Sequence, residues 1–291
     1  MTLFPAFSGV YTPNEVSPTR PPMMAPMQPL PNLAEGRLAT AVRLIGQDGF
    51  EQALADLFRQ VAAPDNLVML AYRDTGPPLI LYRQADHPRV FAALEQTYLA
   101  GAYRLDPFYD LHRIRAAPGA YRLRDIAPDA FQRSRYVAEY YAQTTLIDEI
   151  VFVARPAPDI SLNLCLGRDA SSGRAFTSRD LETCQRLGPV IAALAERHWA
   201  GIAPAPDPVE DTAALLARAA RQRLAIPLSP RQAEVALLIL KGHSTVSISL
   251  RLGLSHQTVK VFRKQLYRRC AISSQAELFA LMLPLLKDAR D

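Results

Sequence analysis

The chain predicts an α+β fold: an α/β/α sandwich around an antiparallel sheet, followed by an all-α segment of four helices. Three observations predict it. The middle of the chain alternates helical stretches with short apolar runs bounded by turn residues, in the order helix, two strands, helices, three strands, helix. After residue 212 the apolar period stays at three to four residues. Two proline-rich stretches separate these zones: residues 1–35 carry eight prolines without a periodic apolar pattern, and "AGIAPAPDPVED" carries three in alternation. The expected layout is a leader over 1–35, an α/β/α domain over 36–200, a linker with a lead-in helix over 201–225 and a helical domain over 226–291.

In order, helical patterning from Arg37 to Ala62 precedes "NLVMLAYRD" and "PPLILYRQ", two strand-like runs joined at Gly-Pro-Pro. Helical stretches follow at 89–101 and 106–116, then "YRLRDI" as a short strand and "APDAFQRSRYVAEYYAQT" as a helix. "DEIVFVARPAPDISLNLCLGR" reads as two strands around a turn. In the closing helix, Thr177 and Asp180 have capping-box spacing, and Leu181, Leu187, Val190, Ile191 and Leu194 form an apolar stripe.

Hydrophobic residues at 49% and charged residues at 21% place the chain among soluble globular proteins. No apolar run approaches the roughly 20 residues that span a bilayer, and the N-terminus lacks a secretory pattern, so a cytoplasmic location without membrane contact is expected. Three widely spaced cysteines without C-x-x-C argue against a disulfide framework or a zinc site. The five histidines share no ligand spacing, and no nucleophile elbow, phosphate loop, dinucleotide fingerprint or metalloprotease motif occurs. A non-enzymatic protein without metal or cofactor is the expectation.

Charge is concentrated near the C-terminus. From Arg218 to Cys270 there are eleven Lys or Arg and one acid, Glu234, whereas the whole chain is only +5. That asymmetry points to a polyanion partner for this part alone. Within it, Ser229, Pro230 and Gln232 announce a helix that Gly242 ends, a short helix follows Ser244 and stops at Gly253, and Ser255 starts a third. Ser249, Gly253 and Val259 have helix-turn-helix spacing. On the third helix Phe262, Leu266 and Cys270 fall within about 60° of Val259, whereas Gln257, Lys260, Val261, Lys264 and Arg268 share the opposite side. Amide, ammonium and guanidinium donors around one apolar residue suit guanine edges, phosphates and a thymine methyl in a major groove. His256 and Gln257 occupy the first turn, and Arg263 and Arg269 flank the face as phosphate contacts.

These residues carry a resemblance. "LSPRQAEVALLILKGHSTVSISLRLGLSHQTVKVFRKQLYRRCAISSQAELFAL" resembles the LuxR-type, or GerE-type, DNA-binding domain along its length. The marks are Leu228, Ser229, Arg231, Glu234 and Val235 at the start, Gly242, Ser244, Ile248, Leu252 and Ser255, then Thr258-Val259-Lys260, and Ile272, Ala276, Glu277 and Leu278 at the end. The resemblance implies that Lys260, Val261 and Lys264 face the DNA groove, and with the wheel and the first turn the expected DNA face is His256, Gln257, Thr258, Lys260, Val261, Arg263, Lys264 and Arg268. It implies a homodimer paired through the helix from Ser274 to Leu283. Double-stranded promoter DNA with a near-palindromic site is the implied partner, and RNA polymerase a second one if the protein activates. Phe262 replaces the family's usual His, Gln232 a Glu, and Val246-Ser247 a Lys-Glu pair. A module that sequesters another regulator, with a vestigial DNA-binding domain, is the alternative reading.

For the middle domain the resemblance implies a sensor, of GAF/PAS-like or autoinducer-domain-like architecture. A phosphoacceptor receiver is disfavoured, since its acidic pair near a first strand is missing. "YLAGAYRLDPFYDLHRIRAAPGAYRLRDI" is similar to a segment of autoinducer-binding domains, in which Asp106 matches an Asp that accepts a hydrogen bond from the signal and Tyr121 a pocket aromatic. The family's upstream Tyr-x-x-x-Trp pair is absent, and the single tryptophan is Trp199. A small effector other than an acyl-homoserine lactone is therefore expected, with Tyr98, Tyr103, Asp106 and Tyr121 as candidate contacts. The same tyrosines also read as ordinary core, Asp106-Pro107 as a helix start, and Asp148 and Glu149 as a charge pair opening a strand.

Overall fold

A computed structural model describes residue 30, residues 33–203 and residues 211–287. Most of the predicted leader and positions 204–210 of the predicted linker lie outside the described residues. The helical patterning of 37–62 resolves into two helices, α1 (Ala34–Arg43) and α2 (Phe50–Ala62). Gly46 and Gly49 separate them with φ of 73° and 91°, a conformation that side chains with a Cβ avoid. α2 buries Phe50, Leu54, Leu57 and Phe58, each contributing roughly 1.5–3 kcal/mol by leaving water.

Five strands form one antiparallel sheet: β1 (Asn66–Arg73), β2 (Leu79–Ala85), β3 (Gly119–Arg122), β4 (Leu146–Ala157) and β5 (Ile160–Asp169), in the order β2-β1-β5-β4-β3. β1 pairs Asn66 with Gly167 and Arg73 with Ile160, and β4 pairs Val151 with Cys165. Alternation along the strands sends side chains to two layers. On one side Phe58 of α2 stacks on Phe152 at 5.0 Å, and α6 (Ser178–His198) lies across β3 and β4. On the other side Val68, Leu70, Tyr72, Val151, Val153 and Cys165 join a cluster with Tyr98, Leu105 and Phe108. The α/β/α sandwich is thus the observed architecture, and the capping box of Thr177 and Asp180 forms at the start of α6.

The layer facing Tyr98 departs from the predicted elements. In place of a helix over 89–101 there are a 3-10 turn at Pro88–Phe91 and a π turn at Leu94–Tyr98. The regular helix of the next stretch is α3 (Pro107–Arg113) alone, capped by Asp106. "YRLRDI" is strand only to Arg122 and then turns into α4 (Leu123–Ile126), because the buried Arg122 side chain is drawn to Asp148 and to the Phe176 carbonyl. "APDAFQRSRYVAEYYAQT" is not one helix: α5 (Arg135–Glu139) stands between 3-10 turns at Phe131–Arg133 and Tyr141–Gln143. Ser134 is extended and caps α5 by accepting a bond from Val137 N, which breaks the period, while Phe131, Tyr136, Tyr140 and Tyr141 turn inward to pack on one another.

The C-terminal part, from residue 211, is helical: α7 (Thr212–Leu224), α8 (Pro230–Leu240), α9 (Thr245–Leu252), α10 (His256–Arg269) and α11 (Gln275–Lys287). α7 packs against α8 and α11, and α8 against α9 and α10. Both halves belong to one compact unit and share a continuous apolar cluster. Two glycines sit where they touch. A Cβ on Gly242, whose φ is 90°, would lie 2.9 Å from Phe131 Cα, and one on Gly101 would lie 2.3 Å from the Leu286 carbonyl oxygen, so each contact admits only glycine.

Candidate nucleic-acid interface and interior cavity

Each helix of the C-terminal half starts at a residue that satisfies its free amides. Ser229 and Gln232 form a reciprocal capping box on α8, Ser244 accepts from Ser247 N at 3.2 Å on α9, and Ser255 accepts from Thr258 N at 3.0 Å on α10. α9 ends at Gly253 with φ of 64°, which aims α10 across it. Val259, Leu266 and Cys270 are buried and Phe262 is half-buried against the same cluster, so the inward stripe is as its spacing requires. His256, Gln257, Lys260, Val261, Lys264 and Arg268 are exposed on the outward side, and Val261 keeps 45% of its surface.

The remaining residues of the expected face are more constrained. Thr258 is half-buried and its hydroxyl meets that of Ser255 at 2.7 Å. Arg263 is half-buried with its guanidinium 5.3 Å from the Tyr267 ring centre. Arg269, expected to flank the face, donates to the Pro227 carbonyl at 2.6 Å and to Gln232 Oε1 at 2.8 Å, which ties the end of α10 to the start of α8.

The sheet half meets this module through polar contacts. Asp129 accepts from Ser244 N at 3.0 Å and from the Ser244 hydroxyl, Lys241 pairs with Asp110 of α3, Ala130 N donates to the Gly242 carbonyl at 3.0 Å, and Arg104 donates to the Leu286 carbonyl at 3.2 Å.

A small cavity of about 40 Å³ lies between the sheet and the irregular layer, walled by Tyr98, Asp106, Phe108, Tyr140, Tyr141 and Glu149 among others. Asp106 accepts from Phe108 N at 2.8 Å, as the cap of α3, and from the Tyr98 hydroxyl at 2.7 Å; Tyr98 in turn meets the Tyr72 hydroxyl. Glu149 accepts from the Tyr141 hydroxyl at 2.7 Å. Burial pushes the Asp106 carboxyl up to about 6 against the opposing pull of its two hydrogen bonds, and burial with the Asp106 charge pushes Glu149 up to about 8. Tyr141, Leu146 and Glu149 also border an open cleft of about 440 Å³ lined by Phe131, Val137 and Ile147.

Residues 226–282 match the family described as bacterial regulatory proteins, luxR family. This C-terminal segment is a LuxR-type helix-turn-helix domain. The chain is also 29% identical over 185 residues to a protein of Aeromonas salmonicida named as an HTH-type transcriptional regulator in the exeN 3′ region, a match over 61% of this chain and 93% of that protein. Among solved structures it is similar to the VqsR LBD domain from Pseudomonas aeruginosa, with 25% identity, a TM-score of 0.48, and 59% of this chain and 99% of that chain covered. It is similar as well to SdiA of Escherichia coli, with 14% identity, a TM-score of 0.37, and 87% and 98% covered.

Of the residues expected to contact an effector, Tyr98 and Asp106 are brought together at the cavity. Tyr103 is buried beside them, 6.3 Å from Tyr98 by ring centres, but its hydroxyl donates to the Gly76 carbonyl. Tyr121 stands apart on β3, where its hydroxyl donates to the Ala117 carbonyl at 2.7 Å. Glu149, Tyr140 and Tyr141 were not legible as cavity residues. Asp148, the other half of the expected charge pair, faces elsewhere and is salt-bridged to buried Arg122. Strand alternation separates the two acids, but only the packed layers show which one faces the cavity. Among the described residues no group of His, Cys, Asp and Glu could hold a metal ion, and no helix is long and apolar enough to cross a membrane.

Proposed function

We propose that the protein is a sequence-specific DNA-binding transcriptional regulator whose LuxR-type domain answers to a small effector held in the sheet half. The observation that carries the reading is the division of α10: Val259 and Leu266 are sunk in the core, while His256, Gln257, Lys260, Val261, Lys264 and Arg268 form one exposed face without an acid. Such a helix places its N-terminal residues at base edges and its longer cations at phosphates, while the preceding helix, α9, crosses the backbone. Thr258 and Arg263 belong to the same surface at its margin.

In this reading two copies bind successive major grooves of a near-palindromic promoter site, paired through α11. Effector binding shifts the fraction of protein competent for DNA. The relative from Aeromonas salmonicida, named as a transcriptional regulator, supports the reading. A gel-shift titration of the full chain on promoter DNA tests it. With about three cationic phosphate contacts per subunit, log K falls against log salt with a slope of about −5 for a dimer. Lys260→Ala with Lys264→Ala flattens that slope by about 3 to 4, and binding as tight as wild type would refute the assigned face.

A further inference from the structure

The cavity behind Tyr141 holds two carboxyl groups and, among its lining residues, no cation; Lys241, whose charge reaches Asp106 from outside the cavity, is paired with Asp110. Asp106 and Glu149 are each more than nine-tenths buried, and no Lys, Arg or His contributes to the walls. Elsewhere in the sheet half, buried Asp148 is bonded to Arg122 and half-buried Asp65 to Arg168, while buried Asp169 is held by donors from Asn66 and the Ser171 amide. Unpaired buried carboxylates are costly, and such groups answer by holding a proton or by taking a cation. A second signal comes from Tyr136. It is fully buried behind Tyr140, which forms part of the cavity wall and on which it stacks at 5.4 Å between ring centres; both carboxylates act on it electrostatically, and its hydroxyl has no hydrogen-bond partner.

We propose that the effector is an amphipathic primary amine, whose ammonium group enters the inner cavity between Glu149 and Asp106 while its less polar body lies in the outer cleft. This rests on the reading of the sheet half as an effector site. The dimensions agree with the chemistry. About 40 Å³ admits a group little larger than a water molecule, whereas about 440 Å³, lined by Leu123, Phe131, Val137 and Ile147 together with Arg133 and Thr145, admits a ring or short chain. Tyr141, Leu146 and Glu149 border both spaces, so one molecule passing the Tyr141–Glu149 hydrogen bond reaches from one to the other. The tyrosine rings around the cavity add the negative π faces that favour a cation. An ammonium group supplies donors for both carboxylates.

The titratable groups around Glu149 are Asp106, Asp148, Tyr136, Tyr140, Tyr141 and Cys165, and around Asp106 also Tyr72, Tyr98, Asp110 and Lys241; Asp148 is already committed to Arg122, and Lys241 to Asp110. Burial holds the tyrosines and the thiol well above their ordinary values, so they stay neutral and the two carboxyl groups alone gain charge as pH rises. The test is calorimetric titration of the full chain with phenethylamine and with its neutral counterpart 2-phenylethanol. Phenethylamine is expected to bind at least tenfold tighter than the alcohol at pH 8, to lose at least threefold at pH 6, and to lose at least tenfold in Glu149→Gln. Equal affinity for amine and alcohol, no binding of either at millimolar concentration, or an unaltered amine affinity in Glu149→Gln would each overturn the proposal. If the variant does not fold, the amine-to-alcohol comparison in the native chain decides alone. A gel shift on the same protein separates the two readings, since loss of DNA binding refutes the regulator and leaves the amine result standing.

Discussion

Replacing Glu149 with Gln gives a direct measure of what its burial does to the fold. Burial, with the charge of Asp106 beside it, raises the carboxyl from 4.5 to about 8. Over that interval the native protein keeps a proton that the unfolded chain has released, so the native state binds more protons and stability falls as pH rises. The slope is about 1.4 kcal/mol per pH unit for one group, which gives a loss of about 5 kcal/mol by pH 8, an upper value because water entering the cavity screens the charge. Asp106, raised from 3.8 to about 6, acts with the same sign at lower pH. His112 and His243 act in the opposite sense, since burial lowers both to about 4 and their contribution is lost as pH falls from 6.5 through that range. Comparing variant with wild type cancels the two histidines, and Asp106, which shares the cavity, loses the repulsion of Glu149 in the variant and so acts in the same direction. The amide introduced by Glu149→Gln keeps an acceptor for the Tyr141 hydroxyl without carrying a charge. Urea unfolding at pH 5, 6.5 and 8 is therefore expected to show near equality at pH 5 and a variant more stable by about 2–5 kcal/mol at pH 8. Curves that superimpose at every pH, or a variant that loses ground as pH rises, would refute the account of Glu149 as an uncompensated buried acid.

Two further outcomes follow from the contacts around the sheet. Arg122→Ala leaves Asp148 buried without its cation, and about 3–5 kcal/mol of stability is lost, read as a lower urea midpoint; Arg122→Ala with Asp148→Ala together recovers part of that loss. Asp129→Ala removes the exposed acceptor of the Ser244 amide and hydroxyl, worth about 1 kcal/mol, and amide exchange at 128–134 and 242–248 is expected to quicken while the centre of β5 is unchanged.

The helical half was legible almost residue by residue. Ser229, Ser244, Ser255 and Gly253 act on amides and carbonyls one turn away, and the stripe of Val259, Leu266 and Cys270 is a property of helix geometry, so short-range physics suffices to place them. The long strands and the Thr177–Asp180 cap were readable for the same reason. Arg269 was not, because what it binds lies 37 residues away at Gln232. The irregular layer was the least legible part. In 127–144 the helical period is present, but Ser134 caps locally and four aromatic rings gain more by turning inward than by continuing one helix.

By itself, then, the sequence determined the α+β class, the division into a sheet part and a helical part, the exposed basic face of α10 and the cap at Asp106. All of these depend on neighbours within a few positions or on charge summed along a segment. Only the tertiary structure decided that Asp106 shares a cavity with Glu149 rather than with Tyr121, and that Asp110 and Asp129 hold the LuxR-type domain at Lys241 and Ser244, 131 and 115 residues further on. Burial and pairing of an acid are set by whatever the folded chain brings against it, and no local pattern records that encounter.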